Sequence, residues 1–160
     1  MSVTITNTLS KGFDKYILKT GIGQPKASGA HKKASVALAL QLLNWTINGS
    51  ARVNVTPPIK DGVLRGSGSA FVGGDLIGDT KTQYPHGTPN TSYNKTDPND
   101  ITVGFNTAYA ARLHETDWTP GPASEQAGDV GNKFLEKHIE HDGPDLLKLY
   151  AAIFKKESGG

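Results

Sequence analysis

The chain has 160 residues, no cysteine and a formal net charge of +2 at pH 7. This length fits one ordinary domain, and the lack of cysteine excludes disulfides, cysteine-ligated zinc sites and thiol catalysis. Hydrophobic residues make up only 36% of the chain and glycine accounts for 19 residues, which predicts a small core with much loop. Residues 1–7 lack the pattern of a signal peptide, and the longest apolar run, 36–40, is too short to cross a bilayer. We therefore expect a chain made in a cytoplasm, with no membrane partner.

Charge is divided unevenly between the two halves of the sequence. Residues 1–74 carry nine Lys or Arg and two Asp or Glu, whereas residues 75–160 carry eight Lys or Arg and thirteen Asp or Glu. Such a split is typical of a basic half that contacts nucleic acid, and equally of a basic face that meets an acidic face on a neighbouring subunit. A solvated surface without a partner is a third interpretation, and the sequence leaves all three open.

The first part of the chain predicts an arm followed by a long helix. Residues 1–27 are expected to form an extended arm, with a short helix at Lys11–Leu18. Apolar residues then recur every three or four positions over 29–47, on two stripes that cover most of the helix surface. This pattern predicts a largely buried helix, which Ser28 can cap.

Short strands and polar loops are expected in the middle of the chain. Apolar and alternating segments predict strands at 51–55, 67–73 and 101–105. The glycines of the second strand indicate close backbone approach or bulges. In the loop at 59–66, Asp61-Gly62 suits a tight turn because glycine permits a positive φ. Residues 75–99 are polar and contain three prolines, which predicts a long projecting loop.

The remainder of the chain is expected to be mainly helical. A helical turn is predicted at 107–113, a loop at 116–128, and a helix capped by Asp129. The triplet Asp142-Gly143-Pro144 is expected to break this helix and restart it, with Asp142 as the new cap. Beyond the break, residues 146–154 have an amphipathic pattern.

These elements predict an α+β fold in which a small antiparallel sheet packs against a long N-terminal helix and C-terminal helices. The predicted organisation is an extended arm at 1–27 and a single domain at 28–160, from which the loop at 75–99 projects.

Histidines and carboxylates provide the candidates for chemistry. His138 and His141 are three residues apart, whereas the zinc-protease helix places its histidines four apart, so we expect surface histidines here. His114, Glu115 and Asp117 together form a conceivable acid–base group of a small hydrolase. No recognisable nucleophile accompanies them, and the favoured role for Glu115 is a charge at a helix end or interface.

No cofactor site is expected from the glycine-rich stretches. Gly66-Ser67-Gly68 is not a nucleophile elbow, and the spacing of the glycines at 66–74 matches neither a P-loop nor a dinucleotide-binding loop. Phe13 and Tyr16 lie among lysines, which suits nonspecific contact with DNA backbone and leaves a nonspecific DNA-binding protein as an alternative. We assign no catalytic residue, cofactor or metal.

Three segments, in this order, carry a resemblance to one family. The first is Thr56-Pro57-Pro58-Ile59-Lys60-Asp61-Gly62-Val63-Leu64-Arg65-Gly66-Ser67. The second is Val103-Gly104-Phe105 with Tyr109-Ala110 and His114-Glu115, and the third is Lys133-Phe134-Leu135-Glu136. Together they resemble the neck, or tail-completion, proteins of lambda-like long-tailed bacteriophages. The chain departs from the family pattern at Lys60-Asp61, where Asp-Thr is usual, and at Lys133, where Pro is common.

The resemblance implies a structural virion protein at the head–tail junction, not an enzyme. Members of the family form closed rings, commonly of six subunits, between the head connector and the tail tube. The implied partners are further copies of the chain, a head-completion or connector protein, and a tail tube or terminator protein. Genomic DNA would pass through the lumen without sequence-specific binding. A head-completion or minor capsid protein of the same phage class is the nearest alternative.

The arm at 1–27 and the loop at 75–99 are the segments expected to reach neighbouring subunits or rings. Arg65 is expected to pair with a carboxylate, either Glu115 or one on a neighbour, or to fix its own loop through a salt bridge within the chain. The interface candidates are Lys11, Lys15, Lys19, Arg65, Asp75, Asp79, Tyr84, Glu115 and Trp118.

Overall fold

The helix α1 (Gly29–Asn48) lies between a β-sheet and the long helix α4 (Phe134–Glu157). The structure is a computed structural model, and it describes residues 3–5, 29–93, 101–127 and 130–159. Leu38 and Leu42 of α1 are almost completely buried. A helix covered on two sides needs apolar residues around most of its surface, which is the pattern that predicted α1. Both this helix and the α+β class are confirmed.

The sheet has four antiparallel strands in the order β1-β4-β2-β3. The strands are β1 (Val3–Ile5), β2 (Gly68–Val72), β3 (Asp75–Asp79) and β4 (Ile101–Phe105). The strands predicted at 67–73 and 101–105 correspond to β2 and β4. All five residues of β2 are buried, because this strand pairs on both sides and lies under α1.

Part of the expected loop at 75–99 is a strand. Residues 75–79 form β3, which pairs with β2 through a two-residue connection at Gly73-Gly74. Both glycines have positive φ, 59° and 94°, as hairpin turns of this length require. The loop prediction was wrong here because Leu76 and Ile77 form too short an apolar run between two aspartates. Residues 94–99 of the expected loop lie outside the described residues.

Two other segments differ from expectation. Residues 51–55 are not a strand: Ser50 instead accepts hydrogen bonds from the backbone N–H groups of Arg52 and Val53, which turns the chain. Residues 116–128 contain the helix α3 (Pro122–Ala127), which follows α2 (Ala110–Glu115). Six-residue helices are too short to produce an apolar period, so no periodic pattern predicts α3.

The helix α4 runs without interruption through Asp142, Gly143 and Pro144. The predicted break, with Asp142 as a cap, was wrong. Pro144 removes one backbone donor from the helix. The tertiary contacts of the helix on both sides of Pro144 outweigh this loss, because His138 before it and Leu146 after it are each 0% exposed. The carboxylate of Asp142 binds side chains instead of a helix end.

Several expectations fall on residues that the structure does not describe. These are most of the arm at 1–27, its short helix with Lys11, Lys15 and Lys19, and the caps Ser28 and Asp129. In the described part of the chain, no helix combines the length and the apolar character that crossing a membrane requires.

Candidate functional site

The first of the three motif segments folds around the side chain of Arg65. Arg65 is 7% exposed, and its guanidinium donates to the carbonyl oxygen of Pro57 at 2.9 Å and to Oγ1 of Thr56 at 2.9 Å. It also donates to the hydroxyl of Tyr84 at 3.3 Å. Within the described residues it forms no ion pair, so the predicted pairing with Glu115 was wrong. Arg65 acts as an internal brace that holds the two ends of the segment together.

Glycines give this segment its shape. Gly62 has a φ of 82°, and the Asp61 carboxylate accepts a hydrogen bond from the N–H of Val63 at 3.1 Å. The predicted tight turn at Asp61-Gly62 is confirmed. Gly66 lies directly against the backbone of Tyr84 and Gly87, where a Cβ atom would clash. Tyr84 is therefore fixed beside Arg65 as part of the same unit.

The second and third segments meet at the start of α4. The N–H of Lys133 donates to the carbonyl oxygen of His114 at 2.7 Å. Rings stack edge to face: Phe134 lies 4.9 Å from His114 and 5.5 Å from Phe105 between centroids. Lys133 has a φ of 53°, which proline cannot adopt. This backbone conformation excludes proline at position 133.

A cluster of charged groups surrounds this junction. Nδ1 of His114 lies 2.6 Å from the carboxylate of Glu115, and Nε2 accepts a hydrogen bond from the N–H of Glu136 at 3.4 Å. Burial lowers the pKa of His114, although the hydrogen bond to Glu115 opposes this. The neutral tautomer with hydrogen on Nδ1 satisfies both contacts. The Lys133 ammonium group contacts the carboxylates of Glu115 and Glu136, and its hydrogen bond lowers the pKa of Glu115.

The cluster contains groups of the types used in metal binding and in acid–base catalysis. His114, Glu115 and Glu136 place potential metal ligands within 4.8 Å of one another. The ammonium group of Lys133 already lies against the carboxylates of Glu115 and Glu136 and offsets part of their charge. The acid–base group of His114, Glu115 and Asp117 does not assemble, because Asp117 binds the side chain of Asn132 at 2.8 Å. The cluster therefore acts as a structural junction between α2 and α4.

A second buried network centres on His138. Its Nδ1 lies 2.6 Å from Asp142, and its Nε2 donates to the carbonyl oxygen of Val55 at 2.9 Å. The hydroxyl of Ser50 donates to the other oxygen of Asp142 at 2.9 Å. His138 is 0% exposed, so the expectation of a surface histidine was wrong for this residue, whereas His141 is exposed. His138 and His141 therefore do not share a metal-binding face.

An apolar groove, which no sequence pattern indicates, opens beside the first two segments. Its volume is about 690 Å³. The indole N–H of Trp118 donates to the carbonyl oxygen of Leu113 at 2.8 Å, which fixes Trp118 as one wall. Tyr109, 38% exposed, forms another part of the lining. The groove joins residues distant in sequence: Pro58, Ile59, Lys60, Asp61, Leu64, Tyr109, Arg112, Leu113, Trp118, Thr119, Gly121, Pro122, Ala123 and Ser124.

The interface candidates fall into separate groups. Arg65 and Tyr84 belong to the brace behind the groove, Trp118 lines the groove, and Glu115 belongs to the junction with α4. Asp75 and Asp79 lie at the two ends of the edge strand β3. Asp75 pairs with Lys32 of α1 at 3.6 Å. The side chain of Asp79 accepts a hydrogen bond from the N–H of Lys81. Lys11, Lys15 and Lys19 are outside the described residues.

Comparisons of the chain with protein-family models, with curated proteins and with solved structures found no match.

Proposed function

We propose that this chain is a structural virion protein that forms a ring at the head–tail junction of a tailed bacteriophage, in the neck or at the tail terminus. In this proposal the ring joins the head connector to the tail tube, and DNA passes through its lumen. The chain would act by assembly, without a cofactor.

The observation that carries the proposal is the convergence of the three motif segments. Thr56 of the first segment pairs with Val130, just before the third segment, and the N–H of Gly131 donates to the Thr56 carbonyl at 3.2 Å. The second and third segments meet through His114 and Lys133. Residues that are separated in sequence therefore build one region of the fold. This is expected when a sequence signature reflects a common fold.

The burial of the polar groups supports assembly over catalysis. His114 is 1% exposed and His138 is 0% exposed, and both already use their ring nitrogens in structural contacts. A general base must reach a substrate, which these two histidines do not do. By contrast, the groove presents apolar side chains at the surface, as a protein interface does.

Electron microscopy of the purified chain, alone and mixed with tails of the phage that encodes it, tests the proposal. We expect closed rings with a central opening, bound at the head-proximal end of the tail. Tails of an unrelated long-tailed phage are the control and should stay bare. Attachment to heads alone would favour the head-completion or minor capsid alternative. A chain that remains monomeric and binds neither particle would overturn the proposal.

A further inference from the structure

The apolar groove has a basic rim. Its floor and walls include Leu64, Leu113 and Trp118, while Lys60 and Arg112 are exposed at its edge. Neither Lys60 nor Arg112 forms an ion pair with any described residue. Asp61 is the one acidic residue in the lining, so the two cations outnumber it at the rim. The groove therefore suits a partner that combines apolar side chains with negative charge.

The edge strand β3 differs from the groove in charge, because it combines an exposed apolar side chain with two acidic residues. It pairs with β2 on one side, and no described strand pairs with its other side. Its residue Leu76 is 39% exposed, as is Leu40 of α1, whose side chain packs over Gly78. In the described part of the chain, three large hydrophobic residues are exposed to about this extent: Leu40, Leu76 and, in the groove, Tyr109.

A register shift in β3 places an apolar and an acidic side chain on the same face. Leu76 lies opposite Phe71 and Gly78 opposite Ala70, so Ile77 is an additional residue between them. Because side chains alternate along β2, Phe71 and Ser69 point to the face opposite Ala70. Leu76 and Asp79, their partners, share that face. Asp79 forms no ion pair with a described residue.

We propose that the groove of one copy receives the β3 edge of a second copy. This inference rests on the proposed ring and names the contact that would build it. Leu76 would enter the apolar groove beside Tyr109 and Trp118, and Asp79 would approach Arg112 and Lys60 at the rim. Each copy has both the groove and the edge on different parts of its surface. Such a head-to-tail contact repeats from copy to copy until a ring closes.

Charge disfavours the symmetric alternatives. Two grooves face to face would bring Arg112 and Lys60 of one copy against the same cations of the other. Two β3 edges side by side would align Asp75 and Asp79 with like charges. Like charges across an interface oppose association, whereas groove against edge joins opposite charges.

Cysteine crosslinking tests the contact directly, since the natural chain has no cysteine. One variant carries Leu76→Cys at the edge, and a second carries Ala123→Cys in the groove lining. We expect the oxidised mixture to form the mixed disulfide dimer about tenfold more than a mixture of Leu76→Cys with Ala152→Cys, a control at an exposed position on α4. Equal yields in the two mixtures would overturn the inference, even if the association is weak.

Charge reversal tests the head-to-tail arrangement. Asp79→Lys and Arg112→Glu should each reduce self-association about tenfold, because each places like charges across the contact. An equimolar mixture of the two variants should recover assembly, since every contact in an alternating ring is again complementary. Glu140→Lys, a reversal at an exposed acid on α4 outside the proposed contact, should assemble as the natural chain does.

The outcomes separate this contact from the proposed function. Rings that persist in both single variants, without the crosslink, would overturn the contact and leave the head–tail proposal standing. A crosslink between edge and groove in a protein that never binds tails would support the contact and contradict the placement at the neck. Failure of the mixed variants to recover assembly would overturn the head-to-tail arrangement.

Discussion

His138 and Asp142 form a buried pair whose polar atoms are all bonded to neighbours. The carbonyl oxygen of Val55 can only accept, so Nε2 of His138 carries a hydrogen. Its Nδ1 lies 2.6 Å from the carboxylate of Asp142, in a pair that is 0% and 1% exposed. Ser50 satisfies the second carboxylate oxygen. The network fastens α4 to the turn at 50–55, which contains no regular secondary structure.

Replacing one member of this network should strongly destabilise the fold. Asp142→Ala leaves the His138 ring and the Ser50 hydroxyl without their partner in the interior, and we expect a loss of about 3–5 kcal/mol in the free energy of unfolding. Urea denaturation measures this loss. Asp145→Ala, on the same helix, removes an exposed ion pair with Arg52 and should change the stability far less. Similar losses in the two variants would show that burial of the pair is not what matters.

His114 should make stability depend on pH. Burial lowers its pKa below the ordinary 6.5, so the unfolded chain binds more protons than the folded chain as the pH falls below 6.5. The contribution is complete above 6.5 and is lost as the pH falls through the folded-state pKa. Glu115, whose pKa is also lowered, adds a further loss in more acidic solution.

Unfolding free energies measured at a series of pH values test this dependence. His114→Asn should flatten the profile below pH 6.5, because the group that gains a proton on unfolding is gone. His141→Asn is the matched control, since His141 is an exposed histidine on α4. A profile unchanged by His114→Asn would contradict the proposed origin of the acid sensitivity.

The sequence was informative about backbone conformation at single residues and uninformative about their partners. Asp61-Gly62 predicted its turn because the conformational freedom of glycine is a local property. From the presence of Arg65, the sequence indicated only that its guanidinium group would bind a partner. Its actual acceptors include the carbonyl of Pro57 and the hydroxyl of Tyr84, and every backbone carbonyl has the same appearance in a sequence.

Among the helices, α4 contains an unusual interior glycine. Gly143 lies within the helix, and a Cβ atom added there would meet nothing within 4 Å outside its two chain neighbours. Because the ring of Pro144 disfavours the helical conformation for a preceding residue that has a Cβ atom, the test is made in a Pro144→Ala background. In that background we expect Gly143→Ala to stabilise the protein by about 0.5–1 kcal/mol, because alanine restricts the unfolded chain and favours the helix. Thermal and urea denaturation measure the gain.

Gly62→Ala provides the opposite case for comparison. Gly62 has a φ of 82°, a conformation that alanine adopts at a cost, so this variant should lose stability. If Gly143→Ala also destabilised the protein in the Pro144→Ala background, the uninterrupted course of α4 through residues 142–144 would be in doubt.

Periodicity predicted the long elements and failed for the short ones. The helix α1 repeats its apolar pattern over five turns, and β2 and β4 are bounded by clear turn residues. The strand β3 and the helix α3 are too short to establish a period. The break expected in α4 followed local propensity, which the buried contacts on both sides of Pro144 overcome.

The charge split of the chain leads to a prediction about assembly. Neutralising Lys11, Lys15 and Lys19 together, by substitution with Gln, should weaken ring formation if the arm docks on acidic neighbours. The melting temperature of the domain should change little, which separates loss of docking from loss of folding. Sedimentation at low and high salt measures the association, and the effect of the substitutions should shrink as salt rises. If the triple variant associates as the natural chain does at low salt, the proposed role of the arm is wrong.

The central position of α1 also has a consequence for synthesis of the chain. The helix at Gly29–Asn48 leaves the ribosome before its covering helix at Phe134–Glu157, which follows about a hundred residues later. At translation rates of roughly 5–20 residues per second, the apolar surface of α1 stays uncovered for several seconds. During that time the nascent chain is a substrate for chaperones and for premature association with its own siblings on the same messenger RNA.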